Sequence, residues 1–510
     1  MAAVTGDAVD DTSRPSGVRL ALITVALILA PLIQVFDTSI LSIALIQMQG
    51  SLSATQDQIA WVLTSYLIAV AVATPLWGAL GQTFGRKPLL LLSIAGFMLF
   101  SVFAANSTTL EEILVHRFMQ GLFGASLIPL ALSSLLAIYR REDIGIAMGW
   151  WGVGIMFGPV FGPTIGGYLV EYSNWRWAFY LNIPVCIAAF AMIALLVPRA
   201  GNRQPRKFNY YGFILLAIAV GCLQFILDRG QRLEWFHSPL IVTLSLISLS
   251  ALWMFVIDSL TSKTPFIDPA IFADRNYVSG VVLRILFGLM LFGSLVLVPP
   301  FLQNQGGYSL LDSGLIMAPR GAGTMFAAVF VGRLVKVVDP RRVILAGMLI
   351  TAYTMWELSR FTQDIDLTRI IIINVIQGVA FACFVIPVNT VAFSTLPEDK
   401  RDVGTSFYAL LNNIGRSIGI AILAGYLASQ TQVSRAILST SISPFSDFLR
   451  HIGLPPGISV EDAQGRAILD RIVGQQAELI AYVNDFRLLA ILIVCCVPAV
   501  FFMSKPSMAK

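Results

Sequence analysis

The sequence predicts an all-α polytopic membrane protein: two six-helix bundles with two extra helices between them, fourteen transmembrane helices in all. Three observations carry this. Hydrophobic residues make up 56% of the 510 and charged residues only 12%, about half the ~25% charge of an ordinary soluble domain. Apolar stretches long enough to cross a hydrocarbon layer, which takes about 20 residues, recur from end to end. One stretch of the first half is repeated in the second. Mean hydropathy is +0.78, too apolar for disorder, and so few charges cannot cover a soluble surface of this size.

The net charge of +5 does not point to nucleic acid. Lys and Arg sit in short clusters between apolar runs, as membrane topology requires. Cys186, Cys222, Cys383, Cys495 and Cys496 lie inside apolar segments and form no C-x-x-C, which argues against structural zinc and a disulfide framework. Residues 1–17 are polar and slightly acidic, and the first apolar run is a full span, so no cleavable signal is expected.

In chain order the first bundle takes spans 18–46, 58–80, 88–107, 112–139, 144–171 and 176–198. The extra pair is 210–227 and 238–260. The second bundle takes 277–303, 311–335, 341–361, 368–396, 402–430 and 485–503. The domains follow: a cytoplasmic tail 1–17, a bundle 18–198, a basic linker with two accessory helices 199–276, and a bundle 277–510 with a long outer segment 431–484. An even count puts both termini on one side. With that side cytoplasmic, Arg86, Lys87, Arg140, Arg141, Arg199, Arg203, Arg206, Lys207, Arg341 and Arg342 all fall on inner loops, a positive-inside pattern.

The repeat lies in spans four and twelve. Residues 117–129 read R-F-M-Q-G-L-F-G-A-S-L-I-P and residues 374–387 read N-V-I-Q-G-V-A-F-A-C-F-V-I-P. The two are offset by roughly half the chain. Duplicated bundles can enclose a midplane site and rock around it. Span five carries Gly154, Gly158, Gly162 and Gly166, with Pro159 and Pro163 after the second and third. Four-residue spacing puts the glycines on one stripe, where backbones approach closely; the prolines bend or stiffen the helix. This is a packing ridge and a candidate hinge.

G-x-x-x-G-P-x-x-G-P-x-x-G-G over 154–167 resembles the antiporter motif of major facilitator exporters. Arg117-Phe118-Met119-Gln120-Gly121 resembles that family's R-x-x-Q-G, Asp37-Thr38-Ser39-Ile40 its D-x-T/S-I/V, and Trp175-Arg176 through Asn182-Ile183-Pro184 its W-R-x-x-F-x-x-N-x-P. Leu227-Asp228-Arg229-Gly230, with Trp235-Phe236 after it, is similar to the EmrB branch of the fourteen-span drug:proton antiporters. The resemblance covers almost the whole chain. It implies the major facilitator fold and proton-driven export of hydrophobic or amphiphilic compounds without a cofactor. It also implies a bacterial inner membrane, and a periplasmic adaptor and outer-membrane channel as partners. The loop containing Gly78, Gly85 and Arg86 resembles the family's inner-gate element, with Gln82 where an acid is usual. Arg416, in N-N-I-G-R-S-I-G, is assigned to the inner half of the pathway.

Ionisable groups within spans are costly and mark function. Asp37 and Arg117 lie at matching depth in the outer halves of spans one and four, both of which line the cavity in the fold the resemblance implies. They are assigned to one proton-coupling network, the alternative being a static ion pair. His116, about 100° round the helix from Arg117, is a secondary proton site or a plain interfacial histidine. Arg320 sits near the midplane of span ten; Arg284 can snorkel. Gln34, Gln120, Asn374, Gln377 and Asn412 are candidate substrate-cavity amides, or hydrogen bonds that join helices; Phe36 offers apolar contact. With more arginines than carboxylates in the spans, the field favours weak acids.

The outer segment breaks at Leu454-Pro455-Pro456-Gly457 and resumes as an amphipathic helix from Glu461 to about Tyr482, a solvated cap or a docking surface. No G-x-x-x-x-G-K-[ST] loop is present. The runner-up function is a dedicated exporter of a fatty acid, siderophore or amino acid. A non-transporting scaffold would not need the buried charges. A membrane-embedded enzyme would need a catalytic constellation that the sequence lacks.

Overall fold

The computed structural model describes residues 15, 17–198, 208–361, 366–397, 400–440 and 463–503. Most of the N-terminal tail, the linker bases Arg199 to Lys207, the Leu454–Gly457 break and the start of the outer helix at Glu461 lie outside the described residues. Within them every regular element is helical. The first half holds α1 (Gly17–Ser51), α2 (Gln56–Phe84), α3 (Arg86–Asn106), α4 (Leu110–Gly124), α5 (Leu127–Ile138), α6 (Ile144–Tyr172), α7 (Trp177–Tyr180) and α8 (Asn182–Leu196). The accessory pair is α9 (Tyr210–Arg229) and α10 (Pro239–Thr261). The second half holds α11 (Arg275–Asn304), α12 (Leu310–Leu334), α13 (Pro340–Leu358), α14 (Leu367–Ser394), α15 (Arg401–Thr440) and α16 (Ala463–Cys496).

Local chemistry sets the boundaries. Thr55 and Gln58 form a reciprocal capping box at the start of α2, and Thr109 and Glu112 do the same for α4. The α2–α3 turn is Gly85 at φ +89° and ψ 151°, a backbone geometry open to glycine and rarely to L side chains. No atom lies closer than 3.9 Å to a Cβ built there, so the glycine is needed for conformation and not for space.

Twelve helices among the described residues are long and apolar enough to cross a membrane, α9 and α10 included. Spans four and six are each made of two pieces, α4 with α5 and α7 with α8. The helices at α11 and α13 are not among the twelve; α13 carries Arg341, Arg342 and Glu357 within 19 residues. The sequence-based division of the outer segment also changes. α15 runs on to Thr440 as one 40-residue helix, about 60 Å at 1.5 Å per residue and twice a hydrocarbon core of about 30 Å. The amphipathic outer helix and the last span are a single element, α16. Arg435 clamps Asp470 at 2.6 Å and ties the two protruding ends together.

The glycine ridge of α6 lies along α1. A Cβ on Gly158 would stand 2.7 Å from Val35, on Gly162 2.6 Å from Ser39 and on Gly166 3.1 Å from Ile40; on Gly154 it would overlap Ile28. A second glycine face, not singled out from the sequence, meets α12. A Cβ on Gly145 would stand 2.7 Å from the Gly332 carbonyl oxygen, and one on Gly149 2.7 Å from that of Ala328. So α6 is packed tightly against side chains of α1 in the first half on one side and against the backbone of α12 in the second half on the other.

Overpacking such a contact costs roughly 1–3 kcal/mol. Gly158→Leu and Gly149→Leu should each lower the melting temperature of the detergent-purified protein. Gly474→Ala, whose Cβ would meet nothing within 4 Å, should leave it unchanged or raise it slightly.

Candidate functional site

Four helices of the first half converge on one buried polar cluster. Asp37 on α1 is 1% exposed and Arg117 on α4 is 0% exposed, and the Arg117 Nη1 donates to Asp37 Oδ2 at 2.7 Å. The same nitrogen donates to Gln120 Oε1 at 2.6 Å. Gln120 Nε2 donates to Ser101 Oγ at 2.6 Å and to Asp37 Oδ1 at 3.3 Å. Asn182 Nδ2, at the start of α8, donates to Asp37 Oδ1 at 2.7 Å. The guanidinium lies over the Tyr66 ring of α2, 4.2 Å from its centroid. Arg117 and Gln120 are three apart and share a helix face, which is why one carboxylate reaches both.

The carboxylate thus has donors on both oxygens, and its counter-ion is fixed by a second amide. Adding a proton to Asp37 removes the charge that compensates Arg117. An unpaired buried guanidinium is strongly unfavourable, so the Asp37 carboxylate is what allows Arg117 to be buried here.

The other sequence-assigned residues fall elsewhere. His116 faces away from Asp37: its Nδ1 lies 2.9 Å from Ser107 Oγ and its ring 5.5 Å from that of Phe103. Phe36 is buried against Phe157, with centroids 6.3 Å apart. Gln34 is buried and its Oε1 has no hydrogen-bond partner among the described residues. In the second half Asn374 donates to the Ile316 carbonyl at 3.2 Å. Gln377 is 0% exposed, and neither of its amide atoms has a hydrogen-bond partner among the described residues. Arg320 is buried with its guanidinium 4.7 Å from the Phe381 centroid, and Arg284 lies over Phe287. Asn412 presents its carbonyl to the α11 backbone at Gly288. Arg416 is on α15 within electrostatic reach of Tyr66 and Asp228, about 21 Å along the helix from the gate at Asp402.

That gate closes the opposite end of the bundle. Arg86 Nε meets Asp402 Oδ1 at 2.5 Å, with side chains 12% and 7% exposed. Arg401 Nη1 donates to the Leu136 carbonyl at 3.0 Å and Thr405 Oγ1 to that of Pro129 at 3.2 Å. Lys336 Nζ meets Asp143 Oδ1 at 2.6 Å. Gly78 lets α2 lie directly on Ser406 of α15. Each tie joins the first half to the second. The acid absent at Gln82 is supplied from the other half, by Asp402. Lys87 has a different role, donating to the Ala194 and Val197 carbonyls at the end of α8, at 2.8 and 2.7 Å.

Sequence reasoning did not place Asn182, Ser101 or Asp402 in the site. Asn182 stands in the quoted N-x-P element, which was a usable signal. Ser101 is a lone serine in an apolar helix, and Asp402 sits in a mixed charge cluster that reads as a topology loop. The accessory helix α9 touches both halves: Asp228 accepts from Thr64 of α2, and Gln224 donates to Ser417 Oγ of α15 at 2.9 Å.

The family model "Major Facilitator Superfamily" matches residues 27–273 and 280–506. The probable multidrug resistance protein EmrY of Escherichia coli is 32% identical over 505 residues, covering 97% of each chain. The multidrug export protein EmrB of the same organism is 31% identical over 432 residues, 84% of each. The fatty acid resistance protein FarB of Neisseria gonorrhoeae is 30% identical over 494 residues, 96% of this chain and 97% of that one. In structure, the human organic anion transporter MFSD10 superposes with a TM-score of 0.60 at 13% identity, covering 93% and 99% of the two chains. The proton:xylose symporter XylE gives 0.55 at 16%, covering 94% and 96%. The chain belongs to the Major Facilitator Superfamily. It has that superfamily's all-helical fold, and it is a multi-pass membrane transporter, not an enzyme.

Removing one partner of a buried ion pair costs roughly 3–5 kcal/mol. Arg86→Ala should therefore open the closed end, raising the labelling rate of a cysteine placed at Ser406 by tenfold or more. The exchanged pair Arg86→Asp with Asp402→Arg should bring the rate back towards that of the parent.

Proposed function

We propose that this member of the Major Facilitator Superfamily is a proton-coupled multidrug exporter that moves hydrophobic or amphiphilic weak acids by alternating access. The observation that carries the reading is the buried Asp37–Arg117 pair, locked by Gln120, Asn182 and Ser101. Protonating Asp37 frees Arg117, and the state that best tolerates the freed guanidinium gains population. Coupling is then a difference in proton and substrate affinity between two states. The export relatives EmrY and EmrB support the same function. The proton gradient drives the cycle and no cofactor takes part.

In this reading the chain spans the bacterial inner membrane fourteen times with both termini in the cytoplasm. The basic loops then face inward and the Arg86–Asp402 end is the cytoplasmic gate. The glycine ridge 154–166 acts as the hinge, and the bundles 18–198 and 277–510 rock about it. Gln34, Phe36, Gln120, Arg320, Asn374, Gln377 and Asn412 face substrate. The paired extensions of α15 and α16 point outward, where they would engage a periplasmic adaptor and, through it, an outer-membrane channel.

A dedicated fatty-acid exporter is the second reading. Arg284 and Arg320 of the second half lie against aromatic rings, a setting suited to an anion with an apolar tail, and FarB is a relative named for fatty acid resistance.

The test is proton movement in proteoliposomes. Hydrophobic weak acids added to the parent protein should evoke proton release. Asp37→Asn should abolish that release while substrate binding is retained. Equal release from the variant would move the coupling site off Asp37. Release by long-chain fatty acids alone would favour the second reading, and expulsion restricted to permanently cationic dyes would overturn the anionic preference.

A further inference from the structure

A second carboxyl is buried far along the chain from the first. Asp485 of α16 is 0% exposed, and neither of its oxygens has a hydrogen-bond partner among the described residues. Asp37, equally buried, has donors on both oxygens. Around Asp485 the packing is aromatic. Phe486 and Tyr482 are buried beside it, and both rings meet Phe301 of α11 edge on, at 5.8 and 5.5 Å.

Among the described residues no cation answers this carboxyl. α16 packs against α11, α13 and α15. Arg341 and Arg342 stand at the first turn of α13, and Arg401 and Asp402 at that of α15, in the ties to the first half. On α11, Arg275 donates to the Phe502 carbonyl and Arg284 lies over Phe287 and Tyr408. On α13, Glu357 is held by Arg360 and Arg369. On α15, Arg435 is held by Asp470, and Arg416 is within electrostatic reach of Tyr66 and Asp228. On α16 itself Arg487 is exposed. Tyr482 is the titratable neighbour in electrostatic reach.

A carboxylate with neither counter-charge nor hydrogen bond is far more costly to bury than the neutral acid. A bound metal ion would need several oxygen ligands, and the described residues contain no group of His, Cys, Asp or Glu that could hold one. A proton needs none. A route for it lies on the same helix face. Glu478, Tyr482 and Asp485 are spaced four and three apart, the Tyr482 hydroxyl is hydrogen-bonded to Glu478, and Glu478 accepts from Asn304 at 2.7 Å at the exposed end.

We propose that Asp485 is a second proton-binding carboxyl of this protein, occupied by a proton in this conformation and reached from the α16 extension through Glu478 and Tyr482. It goes beyond the Asp37 reading and does not depend on it.

The test uses the full chain in detergent or nanodiscs, with neither substrate nor gradient, so its outcome is independent of any transport result. Melting temperature is measured against pH for the parent, Asp485→Asn and Asp485→Leu. If the folded parent holds a proton that the unfolded chain has released, its stability falls as pH rises. Relative to both variants the parent should lose ~1–2 °C per pH unit between about pH 5 and pH 8. A pH-independent difference, or a parent that gains on the variants with rising pH, would overturn the proposal, because the carboxyl would then be charged in the fold. Failure of both variants to assemble would overturn it too, since a site already neutral accepts an amide in place of the acid.

Discussion

A charge buried in a helix bundle must find a partner, and the partner it finds decides what the helices around it can do. In the first half that partner is specific. Arg117 and Asp37 neutralise each other, and Gln120 and Asn182 hydrogen-bond to the pair. Four helices meet there because α1, α3 and α8 each contribute one side chain and α4 contributes two. The pair fastens these helices together. At the opposite end the same requirement is met across the two halves, where Arg86 finds Asp402.

Charge alone could not couple these ends if the helices packed loosely. α6 supplies the rigidity. One glycine face lies on α1, which carries Asp37, and the other lies on α12, which carries Arg320. On the α12 side the contact is to backbone carbonyls, with no long side chain to reorganise, so a displacement of α6 passes to α12 with little slack. The α6–α12 contact joins the two halves without an intervening polar side chain.

Much of this was legible in the sequence. Twelve of the fourteen expected spans meet the length and hydropathy of a crossing helix among the described residues, α11 and α13 not among them, and the depth of Asp37 and Arg117 in their helices was enough to bring them together. The ridge on α6 was legible from its four-residue period. The second face, Gly145 and Gly149, was not, because two glycines in a glycine-rich helix carry no period of their own. Asp402 was hidden by its setting: in a loop rich in charges of both signs, sequence cannot say which acid turns inward. The continuity of α15 and α16 was obscured because a helix that leaves the hydrocarbon becomes polar, and polarity there reads as a loop. Asp485 was obscured for the same reason, at the point where α16 changes from polar to apolar.

The internal repeat explains why the two halves share a scaffold and differ in chemistry. Gly121 lets α4 lie on the α2 backbone at Tyr66, and Gly378 lets α14 lie on the α12 backbone at Arg320. The helix contacts are therefore duplicated. The side chains are not: Arg117 of the first copy is matched by Asn374 in the second, and the acid that balances it has no counterpart among the partners of Asn374. Duplication preserves what the backbone needs, since a glycine at a close crossing cannot be exchanged cheaply. It leaves the polar positions free to diverge. The first half then has a buried ion pair. The second has arginines set against aromatic rings and a buried carboxyl without a hydrogen-bond partner among the described residues. On this division one copy of the bundle holds a buried ion pair and the other holds arginines against aromatic rings, on helix crossings that the two copies share.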